Sequence, residues 1–344
     1  KENCYLSPVH RPLLNFPIPL NEDLVGGYSF DVLAKNTQLK QVAQRHLRLL
    51  KESGDSKRIA GSLNKLQSIP YEIDGQVLDV AWVLYQDGHI LPELRPLPKS
   101  ILKIATDEER KKFLKRYHVA KKDNNSLEGK RINLARTLMV AKEFEDKDHF
   151  YFPSCIDFRG RIYYHGDYLN PQGTDLSKAL LRFKQKAKID NDFFYYIHGA
   201  NVAGFKGSYQ ERYDWTEEHI PLFKEIAEDP IGKKDLWMDA EGPFEFLAFC
   251  FDVTKYLDNP EHESGLRCSF DASQSGLQIL SLLLRDKEGC ERVNVLDSPH
   301  TLTEGPADAY MACYRVLDGL LSFDAQSGLE PVSEHAKFWI DFLK

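Results

Sequence analysis

Asp271 stands at the end of a short apolar run, Ser269-Phe270-Asp271, and small residues follow it at once: Ala272, Ser273, Ser275 and Gly276. A strand over 267–271 that ends in a carboxylate presents that carboxylate clear of the sheet. Such a group suits Mg2+, which takes oxygen ligands, often one or two carboxylates together with substrate phosphates. Small neighbours leave room for a triphosphate. In two-metal phosphoryl transfer one ion activates the attacking hydroxyl and the other stabilises the leaving oxygen. The same pattern also fits an aspartate that only caps the following helix.

A second constellation lies about a hundred residues earlier, in Asp157-Phe158-Arg159-Gly160-Arg161-Ile162-Tyr163. Gly160 permits a tight turn, and Arg161 just beyond it offers a planar guanidinium to phosphate or sugar oxygens. Asp157 either orients Arg161 or pairs with Arg159. The plainer alternative is a structural salt bridge at a β-turn. Lys178 stands four residues before Arg182. On one helix the two share a face and point a positive pair in one direction.

Net charge is −7, which by itself argues against a nucleic-acid protein, but the charge is unevenly spread. Arg110, Lys111, Lys112, Lys115, Arg116, Lys121, Lys122, Lys130 and Arg131 form one basic tract; Arg182, Lys184, Lys186 and Lys188 form another. Local clusters of this kind can follow a phosphate backbone; as a solvated helix face they need no partner. The six cysteines are scattered, without a Cys-x-x-Cys pair. That disfavours structural zinc and favours a reducing compartment. No apolar run approaches the roughly 18 residues of a membrane span. Lys1 is not an initiator Met, and a processed or truncated N-terminus is expected.

The elements that must position these residues change in style near residue 150. Residues 1–30 are rich in Pro and turn formers and predict an irregular arm. Helical spacing then predicts helices from Thr37 to about Leu50, through Leu63 and Leu66, and over 77–85. Pro92, Pro96 and Pro98 predict a stiff linker. Thr106 caps a helix over 107–117, and another helix is expected over 127–144, so that everything to about residue 150 is helical. Beyond it, 151–153 and 161–164 predict short strands flanking the Gly160 turn. Thr174-Asp175 caps a helix with Leu176, Leu180 and Phe183 on one face. Residues 193–203 and 243–256 predict buried helices. Ser273 or Ser275 caps a helix burying Leu277, Leu280 and Leu284 and stopped by Gly289. Residues 299–344 look helical and acidic.

Taken whole, the region from 150 to 290 resembles the phage-type single-subunit RNA polymerases, the family that includes the mitochondrial enzymes. Phe152 to Tyr163 is similar to that family's Asp-x-x-Gly-Arg motif with its flanks. Asn170-Pro171-Gln172-Gly173-Thr174-Asp175-Leu176-Ser177-Lys178 is similar to the stretch that follows in phage members. Residues 197–204 and 246–251 match further core segments, and 270–286 resembles motif A. The likeness is weaker over 5–150, where 77–81 and the basic tract look like the start and stem of the thumb.

The resemblance implies an α+β right-hand polymerase architecture: a helical N-terminal region over 1–75, a thumb over 76–150, part of the palm over 151–287 and the start of the fingers over 288–344. It implies template-directed nucleotidyl transfer from NTPs to an RNA 3′ end, on a DNA template, with two Mg2+ ions. Asp271 would be the first metal-binding aspartate, with the Ala272 carbonyl near the ions. Asp157, Arg159, Gly160, Arg161 and Tyr163 would lie beside nucleotide and hybrid, and Lys178 would face the triphosphate. Ser275 and Gln278 would line the site, and Lys206 lies near the family's phosphate-contacting lysine. Lys111, Lys112, Lys115 and Lys122 would track nucleic acid. Ile279 replaces the histidine common in phage members.

The family also uses a fingers Lys-x6-Tyr-Gly and a His-Asp pair that supplies the second metal-binding aspartate. Neither a Tyr-Gly nor a His-Asp dipeptide occurs in this sequence. A second polymerase chain or C-terminal half carrying both is therefore the expected partner, and this chain alone is expected to be inactive. A promoter-recruiting or single-stranded-DNA-binding factor is a further expected partner. The expected location is the cytoplasm of a phage-infected host, or alternatively the mitochondrion. The competing reading is a non-catalytic nucleic-acid-binding or regulatory relative.

Overall fold

The computed structural model describes residues 10–29, 41–97, 106–157, 160–259, 261–270, 274–296, 307, 314 and 316–320. They divide into two units, one of residues 1–205 and 216–268 and one of 206–215 and 269–344. Arg159, Asp271 and Ala272 lie outside the described residues, as do Ser273 and most of the helical, acidic stretch expected over 299–344.

The first unit is mainly helical with short antiparallel ribbons. Helices α1 (Gln41–Glu52) and α2 (Asp55–Gln67) follow the arm, which lies on α2: Asn64 and Gln67 take main-chain groups of Leu20 and Ile18. Leu20, Leu24, Ala60 and Leu63 form a small buried cluster there. Strand β1 (Tyr71–Ile73) contradicts the expectation that everything before residue 150 is helical. Three residues are too few for a period-2 signal. Helix α3 (Gly75–Gln86) is capped by Asp74, which accepts from Val77 N at 3.2 Å.

The two helices expected over 107–117 and 127–144 are one helix, α4 (Asp107–Phe144). No proline interrupts the polar run between them, and helix propagation is favourable once nucleated. Thr106 forms a full capping box with Glu109. At 38 residues the helix is about 57 Å long. Its buried residues all lie in the last two turns: Thr137, Leu138, Val140, Ala141 and Phe144.

Beyond residue 150 the strand expected at 151–153 begins three residues later, as β2 (Ser154–Ile156), and pairs with β3 (Ile162–Tyr164). The expected helix after Thr174 is short, α5 (Asp175–Ala179). Phe183, expected on its face, belongs instead to β4 (Leu181–Phe183), which pairs antiparallel with β1. Ribbon β5 (Ala187–Lys188) with β6 (Glu263–Ser264), and helices α6 (Phe193–Ala203), α7 (Tyr209–Glu218), α8 (Ile220–Glu228) and α9 (Pro243–Asp258), complete the main elements. The strand expected from Arg267 is absent over 267–270. Helices α6, α8 and α9 pack through Ile197, Phe223, Phe246 and Phe249, with Phe223 edge-on to both other rings.

At the centre of this unit is a buried ion network. Arg182 on β4 donates to Asp74 Oδ2 at 3.0 Å and to Asp252 Oδ1 on α9 at 2.6 Å. Tyr195 on α6 and Ser264 on β6 donate to Asp252 Oδ2 at 3.0 and 2.5 Å. His262 Nε2 lies 3.3 Å from Oδ1. Burial alone would raise the Asp252 carboxyl; the Arg182 charge and the hydrogen bonds outweigh it and hold it below the ordinary range.

In the second unit α10 (Ser275–Leu284) has its N-cap not at Ser275 but at Gln274, in left-handed conformation and with no side-chain cap. Helix α10 stops at Leu284, before Gly289, because Arg285 turns left-handed and Asp286 caps α11 (Lys287–Arg292). Leu277, Leu280 and Leu284, expected to be buried, are exposed.

Asp252→Asn should lower stability at pH 7 by about 3 kcal/mol or more in urea unfolding, because it leaves Arg182 and its buried neighbours under-compensated. The folded Asp252 carboxyl titrates below its unfolded value of about 3.9. Its contribution is therefore complete above that value and lost as pH falls through the folded pKa. The gap between wild type and variant should narrow in that acid window; a constant gap down to pH 2 would contradict the assignment.

Candidate functional site

The Asp157–Tyr163 segment folds as the tight ribbon its glycine suggests. Asp157 is buried, and its Oδ1 accepts from Arg161 N at 2.9 Å while Oδ2 accepts from the Tyr163 hydroxyl at 3.4 Å. The main chain closes the turn, with Asp157 N donating to Arg161 O at 2.9 Å and Gly160 N to Asp157 O at 3.1 Å. Asp157 thus orients Arg161 through its backbone. Arg161 itself is exposed at the tip. Gly160 has φ 82, where a side chain is strained, though a Cβ would meet nothing within 4 Å. Beneath the turn a cavity of about 490 Å³ opens between Ile59 and Leu63 on α2 and Ile156 and Ile162 on the ribbon.

Two amides that sequence reasoning did not single out steady this ribbon. Gln172 accepts from Tyr164 N at 3.1 Å and donates to Ile162 O at 3.0 Å, acting as a side-chain strand along β3. Asn170 donates to Tyr164 O and Gly166 O, both at 3.0 Å. Their signal was present in the Asn170-Pro171-Gln172-Gly173 run, since amides beside Pro and Gly mark turns that bond backbone.

Lys178 and Arg182 do not form the shared face expected of them. Helix α5 ends at Ala179, so Arg182 falls on β4, where it is buried in the ion network. Lys178 stays partly exposed and reaches Glu245 Oε2 at 3.1 Å. Asp175, three residues before it, caps α9 from another segment, accepting from Glu245 N at 3.0 Å and Phe244 N at 2.9 Å. Burial raises the Asp175 carboxyl, and these two donors offset part of that rise. Arg267 donates to Pro171 O at 2.9 Å and Lys178 O at 3.3 Å.

On α4, Lys111, Lys112, Lys115 and Lys122 are exposed, and no ion pair is recorded for them among the described residues. Lys111, Lys115 and Lys122 fall within an arc of about 40°, with Lys112 about 100° away. In the second unit Lys206 and Ser275 are exposed, and Gln278 Nε2 donates to Val293 O at 2.8 Å, tying α10 to the turn after α11.

The structure therefore gathers Asp157, Gly160, Arg161 and Tyr163 on one ribbon. It gives Lys178 a carboxylate partner and leaves the lysines of α4 open to solvent. Among the described residues no group of three His, Cys, Asp or Glu side chains could hold a metal ion. By chemistry the Asp271 carboxylate and the Ala272 carbonyl are oxygen donors of the kind Mg2+ takes.

Asp157→Ala should cost about 1–3 kcal/mol, the penalty for stripping a buried acceptor from its donors. Gly160→Ala should cost about 1–2 kcal/mol through backbone strain alone. Chemical denaturation of both variants checks this; a neutral Gly160→Ala would mean the turn relaxes to negative φ.

Comparison with known proteins gives the same direction. The family description "DNA-dependent RNA polymerase" matches residues 189–344. T7 RNA polymerase of Escherichia phage T7 is 30% identical, covering 94% of this chain and 37% of the relative. The DNA-directed RNA polymerase of Enterobacteria phage T3 is 37% identical, covering 58% of this chain and 22% of the relative. The mitochondrial DNA-directed RNA polymerase 1B of Nicotiana tabacum is 31% identical, covering 75% of this chain and 26% of the relative. The chain thus spans between 22% and 37% of the length of these curated relatives. By these likenesses the chain is homologous to the phage-type single-subunit DNA-directed RNA polymerases.

Proposed function

We propose that this chain is a component of a DNA-directed RNA polymerase, extending an RNA 3′ end on a DNA template. The observation that carries the reading is the family match over 189–344, which spans Asp271. In the reaction, the RNA 3′-hydroxyl oxygen bonds to the α-phosphorus of an NTP and gives up its proton. The α–β bridging bond breaks and pyrophosphate leaves. The polymerase family uses Mg2+, which supplies charge stabilisation to such a transfer. Asp271 is proposed as a metal-ligating carboxylate, with the Ala272 carbonyl beside it.

The roles of the remaining residues are those the resemblance to the polymerase family implies. Arg161 and Tyr163, set by Asp157 and Gly160 and flanked by Arg159, are proposed to contact nucleotide and hybrid. Lys178 is proposed to face the triphosphate, with Lys206, Ser275 and Gln278 lining the site. Residues 76–150 are read as the thumb, 151–287 as part of the palm and 288–344 as the start of the fingers. The exposed lysines of α4 then give that thumb a backbone-tracking face.

A second polymerase part is proposed as the partner. One carboxylate cannot hold two ions against water, and the described residues supply no further cluster. Helix α10 adds a physical reason: Ile279, Leu280, Leu282, Leu283 and Leu284 are all at least half exposed. A helix apolar on every side is normally buried, and the relatives have further chain with which to cover one. No helix among the described residues is long and apolar enough to cross a membrane. Relatives of both phage and mitochondrial origin keep both locations open to the proposal, of which the phage-infected host cytoplasm is the one favoured.

Primer extension with DNA template, NTPs and Mg2+ tests the reading. The chain alone should be inactive. Together with a C-terminal part carrying Lys-x6-Tyr-Gly and His-Asp it should extend RNA, and Asp271→Asn should reduce that rate at least 10³-fold, a loss of several kcal/mol of transition-state stabilisation. Extension by the variant within a few-fold of wild type would remove Asp271 from the metal site and favour a non-catalytic binding role.

Replacing Lys111, Lys112, Lys115 and Lys122 by Gln should weaken nucleic-acid binding alike for all sequences. It should also flatten the slope of log K against log salt by nearly one unit per lost phosphate contact. An unchanged slope would make the tract a solvated face.

A further inference from the structure

We propose that Glu245 is a positioning residue for Lys178, holding its ammonium where an incoming triphosphate meets it; this rests on the polymerase reading above. The geometry fixes Lys178 at both ends. Its main-chain carbonyl accepts from Arg267, whose other arm holds Pro171. Its Nζ donates to Glu245 Oε2 at 3.1 Å.

Glu245 is itself held in place. It sits in the first turn of α9, after Pro243, where the cap position Gly242 has no side chain. Asp175 on α5 takes over the capping, using both oxygens on the Phe244 and Glu245 N–H groups. A Cβ on Gly242 would stand 3.1 Å from Asp175 Oδ1, so the absence of a side chain there is what lets α5 approach. Asp175 directs both its oxygens to these N–H groups, and the ammonium hydrogen bond goes to Glu245. Asp175 and Lys178 are one turn apart on α5 and face the same turn of α9. The α5–α9 junction thus carries two adjacent links, one to backbone and one to a carboxylate.

The Glu245 side chain is 12% exposed and that of Lys178 is 34% exposed. The carboxylate is enclosed while the ammonium still reaches solvent. An ammonium has three donors; one is spent on Glu245 and two remain for phosphate oxygens. A lysine held in this way has given up its rotamer freedom before the nucleotide arrives, which is how preorganisation raises a rate.

The test has two arms. In the full chain, acetylation of Lys178 by an N-hydroxysuccinimide ester is followed by peptide mass spectrometry. Glu245→Ala should speed labelling of Lys178 at least fivefold, with Lys224, paired to Asp258, and Lys233, paired to Glu225, unchanged, and Glu245→Gln, which keeps an acceptor oxygen, should restore most of the protection. In the enzyme assembled with its C-terminal part, Glu245→Ala should lower kcat about tenfold with KM for NTP within threefold. It should have no further effect on a Lys178→Ala background. Unchanged labelling would overturn the proposal whatever the chain's function. Additive kinetic effects would also overturn it, because Glu245 would then act on the fold and not through Lys178. If Lys178→Ala alone polymerises at the wild-type rate, Lys178 has no part in the reaction and the inference fails, while Asp271→Asn still judges the polymerase reading separately.

Discussion

The pairing of Arg182 with Asp74 and Asp252 is the constraint on which the first unit depends. A buried guanidinium is tolerated only when its charge is matched and its donors are satisfied. Here the matching groups come from the α3 cap and from α9, with Tyr195 and Ser264 completing the acceptor shell of Asp252. Asp74 serves twice, since its other oxygen caps α3. The start of α3, strands β4 and β6, and helices α6 and α9 therefore cannot shift independently without stranding a charge. Residue 178 lies between this network and the Asp157 ribbon in sequence, so the elements that present the site are tied to the least forgiving point of the core.

A second tier of polar contacts carries that rigidity outward. Asp175 and Glu245 join α5 to α9, Arg267 joins the 171–178 segment to the chain that leads toward Asp271, and Gln172 with Asn170 extends the hold to β3. Each contact takes a main-chain carbonyl or N–H, or pairs a lysine, that a loop would otherwise leave to water. The turn at Gly160 is thus supported by side chains that imitate neighbouring strands.

Much of this was legible in the sequence, and the misses have physical causes. The helices expected to about Leu50, through Leu63 and Leu66 and over 77–85, the Thr106 cap and the Gly160 turn rest on local signals, and each is present within the described residues, as 41–52, 55–67, 75–86, the Thr106 capping box and the 157–161 turn. Arg182 could not be read, because its partners lie 108 and 70 residues away in the chain. A lone Arg four residues after a Lys looks like a helix face until tertiary contact shows otherwise. Strands β1 and β4 are too short for periodicity and form only because each completes the other. The unbroken α4 was hidden by a polar stretch from Lys121 to Ser126, which lacks an apolar face because what meets it there is polar: Arg95 pairs with Asp123, and its main chain exchanges hydrogen bonds with the Asn124 side chain. The α10 leucines misled for the opposite reason: their periodicity signals burial, and the described residues do not provide it.

Helix α4 has a mechanical consequence. Its buried attachment is confined to residues 137–144, while the capped end lies about 46 Å away by helical rise. A stiff rod multiplies small rotations: beyond residue 123, the outermost position bonded to the 92–95 segment, about 5° moves the capped end by about 2 Å. The lysines nearest the cap travel farthest and those nearer the root least. Any strand lying along this arm would therefore be gripped or released in graded fashion from the outside inward, by a motion too small to disturb the packing at Leu138 and Phe144.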